Sequence, residues 1–165
     1  NTTVLEVGPG PGSLTRSIIN AGAKRVTVVE KDHRFLPALE TIQKALPEKK
    51  IIINHNDILM VDERKILQDV EAQQVDWKSA NEPLVKIIGN LPFGIATELT
   101  LKWIRQITRR EGPFAFGRVP MILLFQKEVA MVYSPLVTTN IVFDHLYIDF
   151  LHLENRCATR NENIR

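Results

Sequence analysis

Three carboxylates stand at or just past the ends of short apolar runs: Glu6 in Thr3-Val4-Leu5-Glu6-Val7, Glu30 closing Val26–Glu30, and Asp57 after Ile51–Asn54. The first run leads into Gly8-Pro9-Gly10-Pro11-Gly12. Glycines at alternate positions let the backbone turn tightly and approach a ligand with no Cβ in the way. The helix that opens after them offers its N-terminal N–H groups to whatever binds there. Such a turn also serves dinucleotide-binding domains, and a glycine turn can bind nothing at all, so it does not choose a ligand. Glu6 separates the choices: a carboxylate two positions before the first glycine repels a pyrophosphate, whereas the ammonium and sulfonium charges of S-adenosylmethionine suit it. A purely structural carboxylate is the other reading of Glu6. Glu30 can accept two hydrogen bonds from ribose hydroxyls, as in both NAD and S-adenosylmethionine sites. Asp57 can accept one from an adenine amine.

A second constellation, Asn90-Leu91-Pro92-Phe93, follows the run Val85–Ile88. Methyl transfer to an exocyclic adenine amine needs the nitrogen lone pair aimed at the methyl, although that pair is delocalised into the ring. The Asn90 side-chain carbonyl and the Leu91 backbone carbonyl can accept the two N–H bonds and favour a more tetrahedral nitrogen. Pro92 stiffens the turn, and Phe93 can stack on a base taken out of its helix, worth roughly 1–3 kcal/mol against an extrusion cost of a few kcal/mol. An ordinary Asn-Pro turn is the plainer reading of the tetrapeptide alone. No general base or nucleophile is required, since positioning and charge placement can supply the catalysis.

These residues need a scaffold of parallel strands, and short apolar runs alternating with helical patterns predict one. The spacing predicts strands at Val4–Val7, Val26–Glu30, Ile51–Asn54, Val85–Ile88 and Met121–Phe125. It predicts helices at Ser13–Ala21, Arg34–Ala45 and Thr97–Ile107, the last with Leu99, Trp103 and Ile107 aligned on one face. Residues 62–82 are polar and mixed in charge, a surface helix or loop without a strong stripe. Ile141–Leu153 is apolar enough for one or two strands.

The 165 residues suffice for one domain with a sizeable core. A hydrophobic fraction of 44% and a charged fraction of 24% are those of a globular protein, and no stretch approaches membrane-spanning length. The net charge of +2, from 21 basic and 19 acidic residues, is too mild to demand a nucleic-acid partner. Lys24-Arg25, Lys49-Lys50, Arg105 and Arg109-Arg110 could contact RNA phosphates, and a solvated face accounts for them equally. A single cysteine, Cys157, excludes a disulfide framework and a Cys-rich metal site. The chain opens into a strand with no initiator Met or presequence, which predicts a piece of a longer protein.

Together, Glu6-Val7-Gly8-Pro9-Gly10-Pro11-Gly12, Val29-Glu30-Lys31-Asp32, Asn56-Asp57 and Gly89-Asn90-Leu91-Pro92-Phe93 resemble the rRNA adenine dimethyltransferases. Gly112-Pro113-Phe114, Gly117-Arg118 and Phe125-Gln126-Lys127-Glu128-Val129-Ala130 are similar to the mitochondrial branch of that family. The resemblance covers about residues 3–130. It implies a Rossmann-like α/β methyltransferase sheet with helices on both faces, incomplete at its last strands. The implied organisation is an S-adenosylmethionine-binding core at 1–130 and a divergent tail at 131–165. It further implies that Gly8, Glu30, Lys31, Asp57, Ile58 and Asn90 contact S-adenosylmethionine, beside Glu6 and Gly10 from the reading above. Asn90 would also hold the target amine, with Phe93 stacked on the base. The implied activity is dimethylation of two adjacent adenosines in a small-subunit rRNA hairpin, in the mitochondrial matrix. Implied partners are that hairpin, the mitochondrial small ribosomal subunit and the mitochondrial transcription machinery, with no membrane. The chain departs from the family in three places. The N-terminal Gln-Asn-Phe-Leu motif is absent, Asn56-Asp57 replaces Gly-Asp, and residues from Met131 onward do not follow the pattern. These departures keep open a non-catalytic RNA-binding or transcription accessory protein with the same fold. An NAD-dependent oxidoreductase and a DNA adenine methyltransferase are less well matched.

Overall fold

A computed structural model describes residues 2–48, 50–91 and 94–124, together with the backbone of Ile148–Asp149. Its centre is a sheet of six strands: β1 (Thr3–Val7), β2 (Arg25–Glu30), β3 (Ile51–His55), β4 (Val85–Asn90), β5 (Met121–Leu124) and the two-residue β6 (Ile148–Asp149). Their spatial order is β3-β2-β1-β4-β5-β6, and each adjacent pair runs parallel. Parallel sheets are covered on both faces, which is why the strands read as near-continuous apolar runs rather than as alternations. Every residue of β1 is buried.

Helices α1 (Ser13–Asn20), α2 (Leu36–Lys44), α3 (Glu63–Asp69) and α4 (Ala96–Arg109) form the connections. The strand side chains divide between two cores. Val4, Val26 and Val28 pack with Ile18 of α1 and with Leu39 and Ile42 of α2. Leu5, Val7, Val29 and Ile87 pack with Leu67 of α3, with Leu99 and Trp103 of α4, and with Phe114 and Phe116 of a 3-10 turn at Gly112–Phe116. Alternate residues of one strand thus serve opposite faces. This is the expected Rossmann-like arrangement with helices on both sides.

Two elements differ from the expectation. The helix expected over Arg34–Ala45 is broken at its start, where Asp32 accepts a hydrogen bond from the Arg34 amide and opens a 3-10 turn at His33–Phe35. The α-helix proper begins at Leu36, with Pro37 in its first turn, where the missing N–H costs nothing. Residues 62–82 hold more core than their polarity suggested. The Asp62 side chain caps α3 by accepting from the Arg64 and Lys65 amides, and Glu63, Leu67 and Val70 are buried. Phe125 and the tail from 131 lie outside the described residues, apart from the backbone of Ile148–Asp149.

The register fixes where chemistry can occur. Val7 is paired with Val29 on one side and Gly89 on the other, while Glu30 pairs with His55 and Asn90 with Leu124. The carboxyl ends of β3, β2, β1, β4 and β5 therefore form one edge. Strand order reverses between β1 and β4, and in open α/β sheets ligands bind in the crevice outside the carboxyl ends at that point.

Candidate functional site

The glycine turn lies at this switch point. The Gly8 amide donates to the Val29 carbonyl at 3.1 Å, tying the turn to β2. Gly10 and Gly12 have φ of 55° and 88°, in the left-handed region that favours glycine. They differ in what surrounds them. A Cβ on Gly12 would stand 2.4 Å from Ile42 Cδ1 and 3.2 Å from Leu39 Cδ2, so this glycine lets the turn lie against α2. A Cβ on Gly10 would meet nothing within 4 Å among the described residues: it faces open space beside the crevice.

Glu6 lies beside this turn, fully buried, and among the described residues neither carboxylate oxygen has a hydrogen-bond partner. Thr15 of α1 is equally buried, and its hydroxyl is also unpartnered. Burial pushes the Glu6 carboxyl up to about 7, partly opposed by the nearby Thr15 hydroxyl, which makes no hydrogen bond of normal geometry with it. An uncompensated buried carboxylate is expensive, and a cation arriving in the crevice would relieve it.

Glu30 holds the other side of the turn. Its Oε2 accepts from the Gly10 amide at 3.0 Å and its Oε1 from the Asp32 amide at 2.8 Å. A carboxylate has about four acceptor positions, so each oxygen can still accept from a ligand hydroxyl. Asp57 lies two residues past β3. Its Oδ1 accepts from the Leu59 amide at 3.0 Å, and its Oδ2 pairs with Lys31 Nζ at 2.7 Å. The Lys31 hydrogen bond, the Leu59 amide and a smaller contribution from the Lys102 charge hold the Asp57 carboxyl below the usual carboxylate range. Lys31 is 75% exposed and Ile58 is buried in the core behind the loop.

On the far side of β1, Asn90 is the exposed last residue of β4. The next residue anchors it: the Leu91 amide donates to the Leu124 carbonyl at 3.1 Å, and the Leu91 side chain is buried. Pro92 and Phe93 lie outside the described residues. The structure thus brings Glu6, Gly8, Gly10, Glu30, Lys31, Asp57, Ile58, Asn90 and Leu91 to one edge of the sheet.

Several of the basic residues noted in the sequence serve other contacts. Arg25 donates to the Val70 carbonyl and Lys50 to the Ala23 carbonyl, both near the amino ends of their strands, at the edge opposite the site. Arg110 lies over the Trp77 ring, 5.3 Å from its centroid. Sequence reasoning missed a buried polar cluster between α3 and α4. Glu63, fully buried, pairs with Lys102 at 2.8 Å and accepts from Trp103 Nε1 and Gln106 Nε2, each at 3.2 Å. Its only sequence signal was the 3–4-residue spacing of Lys102, Trp103 and Gln106 on one helix.

The sequence model of the family described as ribosomal RNA adenine dimethylase matches residues 1–133. The chain is 47% identical to dimethyladenosine transferase 1, mitochondrial, of Vermamoeba vermiformis, in a match covering 79% of this chain and 47% of that protein. It is 48% identical to the protein of the same name from Homo sapiens, over 79% of this chain and 36% of that one. The chain thus spans less than half the length of these curated relatives. A solved structure from Pyrococcus horikoshii, assigned as an RNA methyltransferase, superposes on 81% of this chain and 55% of its own with a TM-score of 0.50 at 22% identity, a likeness of fold. The resemblance seen in the motifs, including that to the mitochondrial branch, is borne out: the chain belongs to the ribosomal RNA adenine dimethylase family.

Proposed function

We propose that this chain is the S-adenosylmethionine-binding core of an enzyme that methylates the exocyclic amine of adenosine in ribosomal RNA. One observation carries the reading: Glu6, a buried carboxylate with both oxygens unpartnered among the described residues, lies at an open glycine turn at the switch point of the sheet. That environment opposes a pyrophosphate and fits a cationic ligand. The fit extends along the edge. Glu30 has acceptor capacity left for a ribose, Asp57 offers a carboxylate to an adenine amine, and Gly10 leaves room above its Cα.

When bound, S-adenosylmethionine supplies an electrophilic methyl on a sulfonium. The chain's own part is to bind, orient and hold a nucleophile. Asn90, at the end of β4 and two strands over from Glu30 with β1 between them, is placed to accept an N–H bond from the target amine through its side-chain carbonyl. The Leu91 backbone carbonyl would accept the second. Holding both N–H groups orients the nitrogen, and orientation of this kind is a large share of what an enzyme contributes to a transfer between two bound partners. Phe93 would supply the stacking surface for the base.

The relatives are named as mitochondrial dimethyladenosine transferases. Their names support two methyl transfers per adenosine, and action in mitochondria. We assign the substrate as two adjacent adenosines of a small-subunit rRNA hairpin, the location as the mitochondrial matrix, and the mitochondrial small subunit as the assembly served. Contact with the transcription machinery belongs to the same proposal. The test is transfer of labelled methyl from S-adenosylmethionine to a synthetic hairpin carrying two adjacent adenosines, with mass spectrometry of the digested RNA. N6,N6-dimethyladenosine from the wild type and none from Asn90→Ala is the expected result. RNA and S-adenosylmethionine binding without any transfer would favour the accessory-protein reading instead.

A further inference from the structure

The loop that carries Asp57 is held by a charge pair between α3 and α4. From Asp57 to Val61 the chain makes a single turn: the Met60 and Val61 amides donate to the Asp57 carbonyl at 2.9 and 3.1 Å, and the Leu59 amide to the Asp57 side chain at 3.0 Å. Two carbonyls of this turn, Ile58 and Val61, accept from Lys102 Nζ of α4 at 2.8 and 3.2 Å. The same ammonium pairs at 2.8 Å with Glu63, which is buried and held by Trp103 and Gln106. All three of its donors are therefore used, two on the loop and one on the carboxylate that neutralises it. With Glu63 fully buried and all three donors of the half-buried Lys102 ammonium used, the pair favours one arrangement and imposes it on the loop.

We infer that Lys102 is a positioning residue for the ligand: with Glu63 behind it, it presets the 57–61 turn so that the Asp57 carboxylate meets the amine of the bound adenine, and so sets selectivity for an amino over an oxo group at that ring position. The smaller part of the lowering at Asp57 that comes from the Lys102 charge has the same direction, keeping the carboxylate an acceptor. Among the described residues, the Lys102 ammonium bonds to Ile58, Val61 and Glu63 rather than to Asp57. Its effect passes through the backbone of Ile58 and Val61.

This inference rests on reading the crevice as an S-adenosylmethionine site. The test is isothermal titration of the whole chain with S-adenosylhomocysteine and with S-inosylhomocysteine, which carries an oxo group in place of the adenine amine. Loss of a hydrogen bond to a charged group is worth tenfold or more, so the wild type is expected to prefer the adenosyl compound by about 10- to 100-fold. The double variant Lys102→Met/Glu63→Gln removes the pair without stranding a charge. Its preference is expected to fall to within about threefold, with affinity for the inosyl compound unchanged. Lys102→Arg keeps charge and donors and is expected to keep the preference. Should the double variant not fold, Lys102→Gln/Glu63→Gln, which keeps polar side chains at both positions and strands no charge, reads the same ratio, and a fall of threefold or more supports the inference. A preference that survives in the variants, or two affinities that drop in parallel, would make the pair merely structural and overturn it. Wild-type chain that binds neither compound would instead refute the assignment of the crevice, and this inference with it.

Discussion

Substitution of Glu6 by Gln should move stability and ligand affinity in opposite directions. Burial raises the Glu6 carboxyl from 4.5 to about 7. Between these values the folded chain holds a proton that the unfolded chain has released, so stability falls as pH rises across the window. At about 1.4 kcal/mol per pH unit, the deficit reaches about 3 kcal/mol and is complete above pH 7. A glutamine side chain at this position carries no charge to bury and keeps an oxygen toward Thr15. Glu6→Gln is therefore expected to be more stable than the wild type by up to about 3 kcal/mol at pH 8, or about 6–12 °C in Tm for a chain of this length. The two should converge near pH 4. Affinity should go the other way. Wild-type binding of S-adenosylmethionine should strengthen with pH through the same window as the cation recruits the ionised carboxylate, whereas the variant should bind weakly and without that dependence. Thermal unfolding from pH 4 to 8, paired with titration calorimetry, reads both. A variant no more stable than wild type at pH 8, or a difference that does not change with pH, would refute the reasoning about the buried charge.

The two left-handed glycines should separate fold from function. Gly12→Ala is expected to cost about 2–5 kcal/mol in urea unfolding, the sum of the left-handed backbone penalty and the displacement of Ile42 and Leu39 in a packed core. Gly10→Ala should cost only the backbone part, about 1–2 kcal/mol, since no atom lies within 4 Å, yet lower S-adenosylmethionine affinity at least tenfold because its methyl fills the open side of the turn. Lys31→Met should let the Asp57 carboxyl return toward the usual range, seen by carbon NMR titration. It should leave Tm within a few degrees of wild type, because an exposed pair contributes little to stability.

Much of the candidate site was legible because β1, β2 and β3 are short, apolar and each carry, at or just past the carboxyl end, a carboxylate that could serve chemistry. Parallel register then placed Glu6, Glu30 and Asp57 along one edge without further information. Asn90 was legible for the same reason, as a residue just past the fourth apolar run, which the structure extends to make Asn90 the last residue of β4. What the sequence concealed was polar structure serving the interior. Arg25 and Lys50 read as basic surface, but their long side chains turn back to satisfy the carbonyls of Val70 and Ala23. Glu63 read as one charge in a mixed polar stretch, yet it is fully buried, because Lys102, Trp103 and Gln106 converge on it from a helix some 40 residues later. Such pairings between distant elements leave no local periodicity. Beyond the ribose contact proposed for Glu30, the structure shows the same carboxylate bracing the glycine turn by holding the Gly10 amide.

The most direct test of the central claim is titration of the folded chain with S-adenosylmethionine and, separately, with NAD, using Glu30→Ala as control. The geometry of the site predicts saturable S-adenosylmethionine binding, abolished in Glu30→Ala, and no binding of NAD. Binding of NAD, or failure of the folded wild-type chain to bind S-adenosylmethionine at all, would contradict it.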